Sequence, residues 1–232
     1  MTPFELPPDP AEAVRLSLRV AFWAVLGSLP FGLATAIVLA RARFWGKSLF
    51  DGFVHLPLVM PPVVTGYLLL LLFGHNGPLG RFLAEFGVVF AFRWTGAALA
   101  AAVMAFPLMV RAMRLSLEAV DRRLEEAAGT LGAGRLPTFV LITLPLMTPG
   151  IIAGMVLAFA RSLGEFGATI TFVSNIPGET RTIPLAIYTL TQVPGGDAAA
   201  LRLTVVAVML SLLALVASEL VARKLGGRLT GE

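Results

Sequence analysis

VAFWAVLGSLPFGLATAIVLA, residues 20–40, carries no charged side chain from end to end. A helix rises about 1.5 Å per residue, so about 20 apolar residues match the hydrocarbon core of a bilayer. Arg15 and Arg19 precede the run and Arg41 follows it, where long cationic stems reach the interface. Similar runs recur at 52–73, broken by Pro57, Pro61 and Pro62, and at 94–110, followed by Arg111 and Arg114. Two more lie at 136–160, containing Pro145 and Pro149, and at 203–218, between Arg202 and Glu219. These five runs predict five membrane spans. Segment 163–193 is apolar only in pieces, interrupted by Glu165, Pro177, Glu179, Arg181 and Pro184. It reads as a re-entrant or lining segment, or an extra helix, because irregular backbone at membrane depth must face protein or water. The expected fold is all-α, a polytopic transmembrane helical bundle forming one domain over residues 1–232.

Composition agrees. Hydrophobic residues make up 57% of the chain and charged residues only 14%, whereas an ordinary soluble domain carries about 25% charged residues. With a mean hydropathy of +0.85, the apolar surface exceeds what one core absorbs, and lipid must cover the remainder. The absence of cysteine excludes disulfide scaffolds, iron–sulfur clusters and thiolate metal sites. His55 and His75 are too far apart in sequence to suggest a metal cluster and sit near the ends of the second run, as interfacial hydrogen-bonding groups do. No metal and no cofactor is expected. Trp45 and Trp94 likewise fit interfacial belts. The opening MTPFELPPDPAEA is acidic and proline-rich, unlike a signal peptide, and is expected to be retained.

The net charge of +4 does not point to nucleic acid, because the basic residues are scattered between apolar runs. With the amino terminus outside, the inner loops hold Arg41, Arg43 and Lys47, then Arg111, Arg114, Arg122, Arg123 and Arg135, then Arg223, Lys224 and Arg228. Seven basic residues remain outside. Five spans then place the carboxyl terminus in the cytoplasm, whereas a sixth would put its basic tail outside. No internal repeat or low-complexity tract interrupts the chain.

The loop between the third and fourth runs, within about 114–136, is patterned where an ordinary membrane loop is not. It reads EAVDRRLEEAAGTLGAGRLPTFVLITLP over 118–145. A helix-forming stretch at 118–128 is followed by Gly129, Gly132 and Gly134, then Arg135 and Pro137. Small residues at Ala127, Ala128, Gly129 and Gly132 permit close approach of another backbone, with Arg122, Arg123, Glu125 and Glu126 supplying charges around them. Taken alone, this describes either a helix that docks into a groove on a partner or a solvated helix tying two spans together.

The spacing Glu126-Ala127-Ala128, three residues, Gly132, nine residues, Ile142, one residue, Leu144-Pro145 resembles the EAA loop of binding-protein-dependent ATP-binding-cassette importer permeases, with no position missing. Longer stretches extend the likeness: HLPLVMPPVVTGYLLL (55–70), FPLMVRAMRLSLEAVD (106–121), EEAAGTLGAGR (125–135) and LAFARSLGEFGATITFVSNIPGETRTIPLAIYTL (157–190). These are similar to molybdate-importer permeases of the ModB type, with sulfate/thiosulfate permeases sharing much of the pattern. The resemblance implies a coupling helix that includes Glu126, Ala127, Ala128 and Gly132, with Ile142, Leu144 and Pro145 completing the motif. Arg122, Arg123, Gly129, Gly134 and Arg135 stand around it as support. It further implies a bacterial inner-membrane location, a second copy of the chain, two ATPase subunits and an extracytoplasmic molybdate-binding protein. The chain lacks a GxxxxGK[ST] loop, so ATP hydrolysis is expected in the partner and no enzymatic activity here.

An oxyanion with two negative charges needs compensation in transit without tight retention, which helix dipoles, hydroxyls and backbone amides offer. Pro61, Pro62, Thr65 and Gly66 interrupt the second run, as substrate contacts or as a kink stabilised by neighbouring helices. Glu165 lies four residues after Arg161, on one helix face. A carboxylate repels an oxyanion, so the pair reads as structural or gating and not as a substrate contact. Two other functions compete. A channel or secondary transporter leaves the patterned loop unexplained. A membrane hydrolase lacks a nucleophile beside a base.

Overall fold

The chain is seen as a computed structural model that describes residues 9–230, with side chains described through residue 217. Eleven α-helices and one π-helical turn account for its regular structure, with no strand among the described residues. The expectations for the terminal residues 1–8, and for the side chains of Arg223, Lys224 and Arg228, lie outside the described residues.

Helix α1 (Pro10–Arg41) opens on Asp9, whose carboxylate accepts the Ala11 amide. It satisfies one of the orphan donors at a helix start, and Pro10 needs no donor there. Helices α2 (Lys47–Val59) and α3 (Pro62–Phe73) meet at Met60–Pro61, where their axes bend by 112°. Pro61 and Pro62 have no amide hydrogen to return to the carbonyls of Pro57 and Leu58, so the α-helical ladder stops there. The short α4 (Pro78–Ala84) leads to α5 (Trp94–Ala119), which overruns the expected 94–110 by nine residues.

The expected helix at 118–128 divides differently: Glu118 still belongs to α5, and α6 covers Arg122–Thr130. The reason is Asp121, whose side chain accepts the Arg123 amide and starts a new helix. One turn, α7 (Arg135–Thr138), runs through the π-helical turn Phe139–Thr143 into α8 (Leu144–Leu163). Segment 163–193 folds as two short helices, α9 (Gly167–Val173) and α10 (Ile183–Thr191), each far below the length of a span. Helix α11 (Asp197–Thr230) is the last described element. Four helical segments, from α1, α5, α7–α8 and α11, are long and apolar enough to cross a membrane, and the bent α2–α3 pair makes five.

Helix α5 is the axis of the bundle, packed on both α1 and α8, which also touch each other. Met109 and Met113 are fully buried there with Ala36, Leu39, Met147 and Ala158. Glycines permit the approach: a Cβ on Gly154 would lie 3.0 Å from the Met109 carbonyl oxygen, and one on Gly32 would lie 2.9 Å from Met109 Sδ. Lipid tails supply no hydrophobic drive between helices, so this close contact carries much of the association.

Two polar groups of residues mark the ends of the bundle. One end joins Arg41, Asp51, Arg114, Glu118, Glu125 and Thr143. At the other, Arg19 stacks on the Trp94 ring at 3.7 Å, Glu179 accepts the Trp94 amide and Ser17 accepts the Ile183 amide. Gly154→Leu should force α5 and α8 apart, costing about 1–3 kcal/mol, read as a lower unfolding temperature of the detergent-solubilised protein against Gly27→Ala, where a Cβ meets nothing within 4 Å.

Candidate functional site

At the α6 end, one carboxylate ties three elements. Arg41 Nη2 donates to Glu125 Oε1 at 2.8 Å, and Thr143 Oγ1 donates to the same oxygen at 2.7 Å. Glu125 therefore holds α6 to the end of α1 and to the π-helical turn, facing its own bundle. Ala128, one turn on, is buried at 9% exposure, so its small side chain seats α6 on its own bundle. The rest of α6 and the turn after it are open: Glu126, Ala127, Gly129, Gly132 and Gly134 are exposed, as are Arg122, Arg123 and Arg135. Gly132 stands at φ +87°, and a Cβ placed on it or on Gly129 would meet nothing within 4 Å. The left-handed conformation ends α6, and the Ala133 amide returns to the Ala128 carbonyl at 3.0 Å. Leu124 and Leu131 are also exposed beside this face, Leu131 at 88%.

The seven motif positions thus separate in space. Glu126, Ala127 and Gly132 lie on the open face, while Ala128 points inward. Ile142 belongs to the π-helical turn, and Leu144 and Pro145 begin α8. Sequence reading placed Glu125 among the charges around the docking patch; its oxygen is instead engaged by Arg41 and Thr143, residues 84 and 18 positions away. A contact that distant leaves no local pattern.

The pathway candidates also divide. Pro61 and Pro62 are exposed at the bend. Thr65 and Gly66 are buried, with α3 pressed on α9: a Cβ on Gly66 would lie 2.5 Å from the Ala168 carbonyl oxygen, and one on Gly167 would lie 2.8 Å from Pro62 Cβ. Arg161 Nη1 and Glu165 Oε2 pair at 2.7 Å, with the Glu165 side chain 2% exposed. The other Glu165 oxygen accepts the Ala168 amide at 2.9 Å and caps the first turn of α9. Both carboxylate oxygens are engaged. Between α9 and α10, Arg181 is buried with its Nε donating to Asn175 Oδ1, and Asn175 in turn donates to Thr189. The interfacial expectation for His55 meets an internal bond, its Nδ1 lying 2.9 Å from the Asp51 carbonyl oxygen.

Among the described residues, two of the cavities bear on a path for substrate. One, of about 800 Å³, lies between α1, α2, α3 and α5 and is lined by Trp23, Phe53, Leu69 and Phe106 among others. The second, of about 500 Å³, is lined by Phe166 and Tyr188 with residues of α8, α10 and α11. No cationic side chain lines either cavity. Neither suits a divalent oxyanion as a resting place.

Sequence reading missed Asp51. It is the sole carboxylate between Lys47 and Arg81, and that was its signal. Its Oδ2 accepts from Arg114 Nη1 at 3.0 Å, while Arg114 Nε donates to Glu118 at 2.8 Å.

This architecture defines a multi-pass helical membrane protein with a short helix presented at one end of the bundle. The family described as "Binding-protein-dependent transport system inner membrane component" matches residues 28–227, and the chain belongs to it. It is 63% identical over 213 residues to the molybdenum transport system permease protein ModB of Escherichia coli K12, covering 91% of this chain and 93% of that protein. Identity falls to 41% over 185 residues with the sulfate transport system permease protein CysT of Salmonella typhimurium, covering 80% and 67%. Among solved structures, a bacterial ABC transporter involved in importing alginate shares the fold at a TM-score of 0.71 and 18% identity, over 92% of this chain and 79% of that one.

The Arg161–Glu165 pair is asymmetric, because only Glu165 is deeply buried. Arg161→Met should therefore destabilise more than Glu165→Gln, by about 3 kcal/mol against a smaller loss, since it strands a buried charge. Thermal unfolding in detergent checks the order.

Proposed function

We propose that the chain is the permease subunit of an ATP-driven importer that carries molybdate, and tungstate as its heavier, nearly isosteric congener, across the bacterial cytoplasmic membrane. The observation that carries the coupling role is the two-sided α6: Glu125 and Ala128 fasten it to the bundle, while Glu126, Ala127, Gly129 and Gly132 are left open. A partner ATPase seated on that open face moves α6 as a lever, and the Glu125 clamp passes the motion to α1 and α8. Two ATPase subunits act on two permease copies, giving alternating access by rocking of the bundles. Charge-free cavities inside the chain support a path between copies, with the exposed Pro61–Pro62 bend and the uncapped carbonyls beside it facing that path. Arg161 and Glu165 hold α9 against α3 at its edge.

In this reading α6 and the carboxyl terminus are cytoplasmic, and the amino terminus and the Trp94–Glu179 end are extracytoplasmic, where a molybdate-binding protein delivers its load. The choice of molybdate over sulfate is supported by the higher identity to the molybdenum permease, over nearly its full length.

The test is reconstitution of the chain with its ATPase and binding protein in liposomes. ATP-dependent molybdate uptake should be blocked by tungstate and barely reduced by excess sulfate. Dominant sulfate uptake would keep the importer and replace the substrate; uptake independent of ATP in a verified complex would favour a channel. Glu126→Lys should abolish coupled uptake while the chain still inserts, and Gly132→Trp should prevent co-purification of the ATPase. Wild-type uptake by the first, or full co-purification by the second, would overturn docking on this face.

A further inference from the structure

We infer that the groove between α1 and the α2–α3 pair is a phospholipid site, with one acyl chain lying along α5 and the phosphate at Arg19 and Arg93. Helix α5 forms the floor. Helix α1 and the bent α2–α3 pair both pack on it but scarcely on each other, which leaves the cavity of about 800 Å³ open at its side. Small residues keep the lining thin: Gly27 on α1 and Ala98 and Ala102 on α5 belong to it, and a Cβ on Gly27 would meet nothing within 4 Å. Large side chains stand at the rims, with Phe31 69% and Phe53 71% exposed. Two of the few hydroxyls in the lining are already spent, Ser28 donating to the Ala24 carbonyl and Thr95 to the Val89 carbonyl. Such a lining favours an apolar filling over water.

Length and charge select the occupant. The lining follows α5 from Trp94 to Phe106, about 18 Å of helix, close to one leaflet of a hydrocarbon core about 30 Å thick. Its Trp94 end lies at the interface, because the charge-free runs of α1 and α5 begin there, at Val20 and Trp94. Arg19 stacks on the Trp94 ring at 3.7 Å, which fixes the guanidinium at the mouth and leaves its N–H edge for an anion. Arg93 is exposed just before Trp94, and Arg15 is exposed one turn before Arg19. Among the described residues none of these three arginines is in an ion pair. The neighbouring Glu179 carboxylate accepts the Trp94 amide instead. A basic mouth over an apolar groove one leaflet long matches an amphiphile with an anionic head. A free oxyanion would engage the arginines and ignore the groove. A second copy fills it poorly: across a two-fold axis the groove faces its own twin, and two concavities leave both unfilled.

The test is native mass spectrometry of the full chain, purified in mild detergent with phosphatidylglycerol added. Each copy should retain one phospholipid. Arg19→Gln with Arg93→Gln should weaken retention about tenfold, while lysine at both positions should keep most of it. Gly27→Phe with Ala102→Phe puts two rings into the groove and should expel the lipid with the arginines intact. A second measurement reads the acyl chain itself. Trp45→Phe leaves Trp23 and Trp94 as the only tryptophans, and both line the groove. Phosphatidylglycerol with brominated acyl chains should quench their fluorescence in detergent and saturate near one lipid per copy. Undiminished retention in either double variant overturns the site, as does quenching that climbs without saturating. Displacement of the lipid by excess molybdate would assign the arginines to a free oxyanion. A disulfide between copies at Phe31→Cys, with no lipid retained, would give the groove to a second copy. Either result also overturns the proposal.

Discussion

Everything in this chain hangs on how closely α5 can be approached. Most side chains along its apolar stretch are buried, whereas the outer helices α8 and α11 present most of theirs outward. Gly32 on α1 and Gly154 on α8 let both neighbours reach the Met109 turn, where a branched residue would hold them away. In hydrocarbon, where association gains little from hiding apolar surface, that intimacy is the binding force. It also makes α5 a rigid strut. Since α6 follows it after two residues, the strut ends in the helix proposed above to meet the ATPase.

Polar interactions then decide which elements travel together. Glu125 gathers α1, α6 and the π-helical turn around one carboxylate oxygen. Glu165 gathers α8 and α9 around two. Glu165 is a charge removed from water, a loss offset only where partners satisfy it, whereas Glu125 keeps part of its exposure. Their placement at opposite ends of α8 leaves the middle of the bundle apolar and the ends firmly tied.

Much of this was legible in the sequence. Charge-free runs located the spans because backbone and side chains must both satisfy the hydrocarbon, and the EAA spacing fell on α6, where Ala128 is buried against the bundle and Ala127 and Gly129 stay exposed. The Arg161–Glu165 pair was readable too, being four residues apart on one helix. What resisted reading was relational. Nothing local says that Glu125 turns inward and Glu126 outward, since the choice is made by Arg41 and Thr143 from elsewhere in the chain. Asp51 looked like a span boundary because its partner is 63 residues away. The double proline announced a break, but nothing local gave its 112° angle or the seat of α3 on α9. Thr65 and Gly66, apparent path residues, are taken up by that contact.

The π-helical turn at Phe139–Thr143 has a consequence for how the loop is phased. A π turn accommodates one residue more than an α turn, and each residue advances a helix by about 100°. The surplus residue therefore rotates Arg135–Thr138 by that angle relative to α8 without altering the course of either. It is Thr143, the last residue of that turn, that meets Glu125. The turn works as an angular spacer: it allows a long membrane helix to keep its apolar faces on α5 while its preceding turn keeps an independent azimuth toward α6.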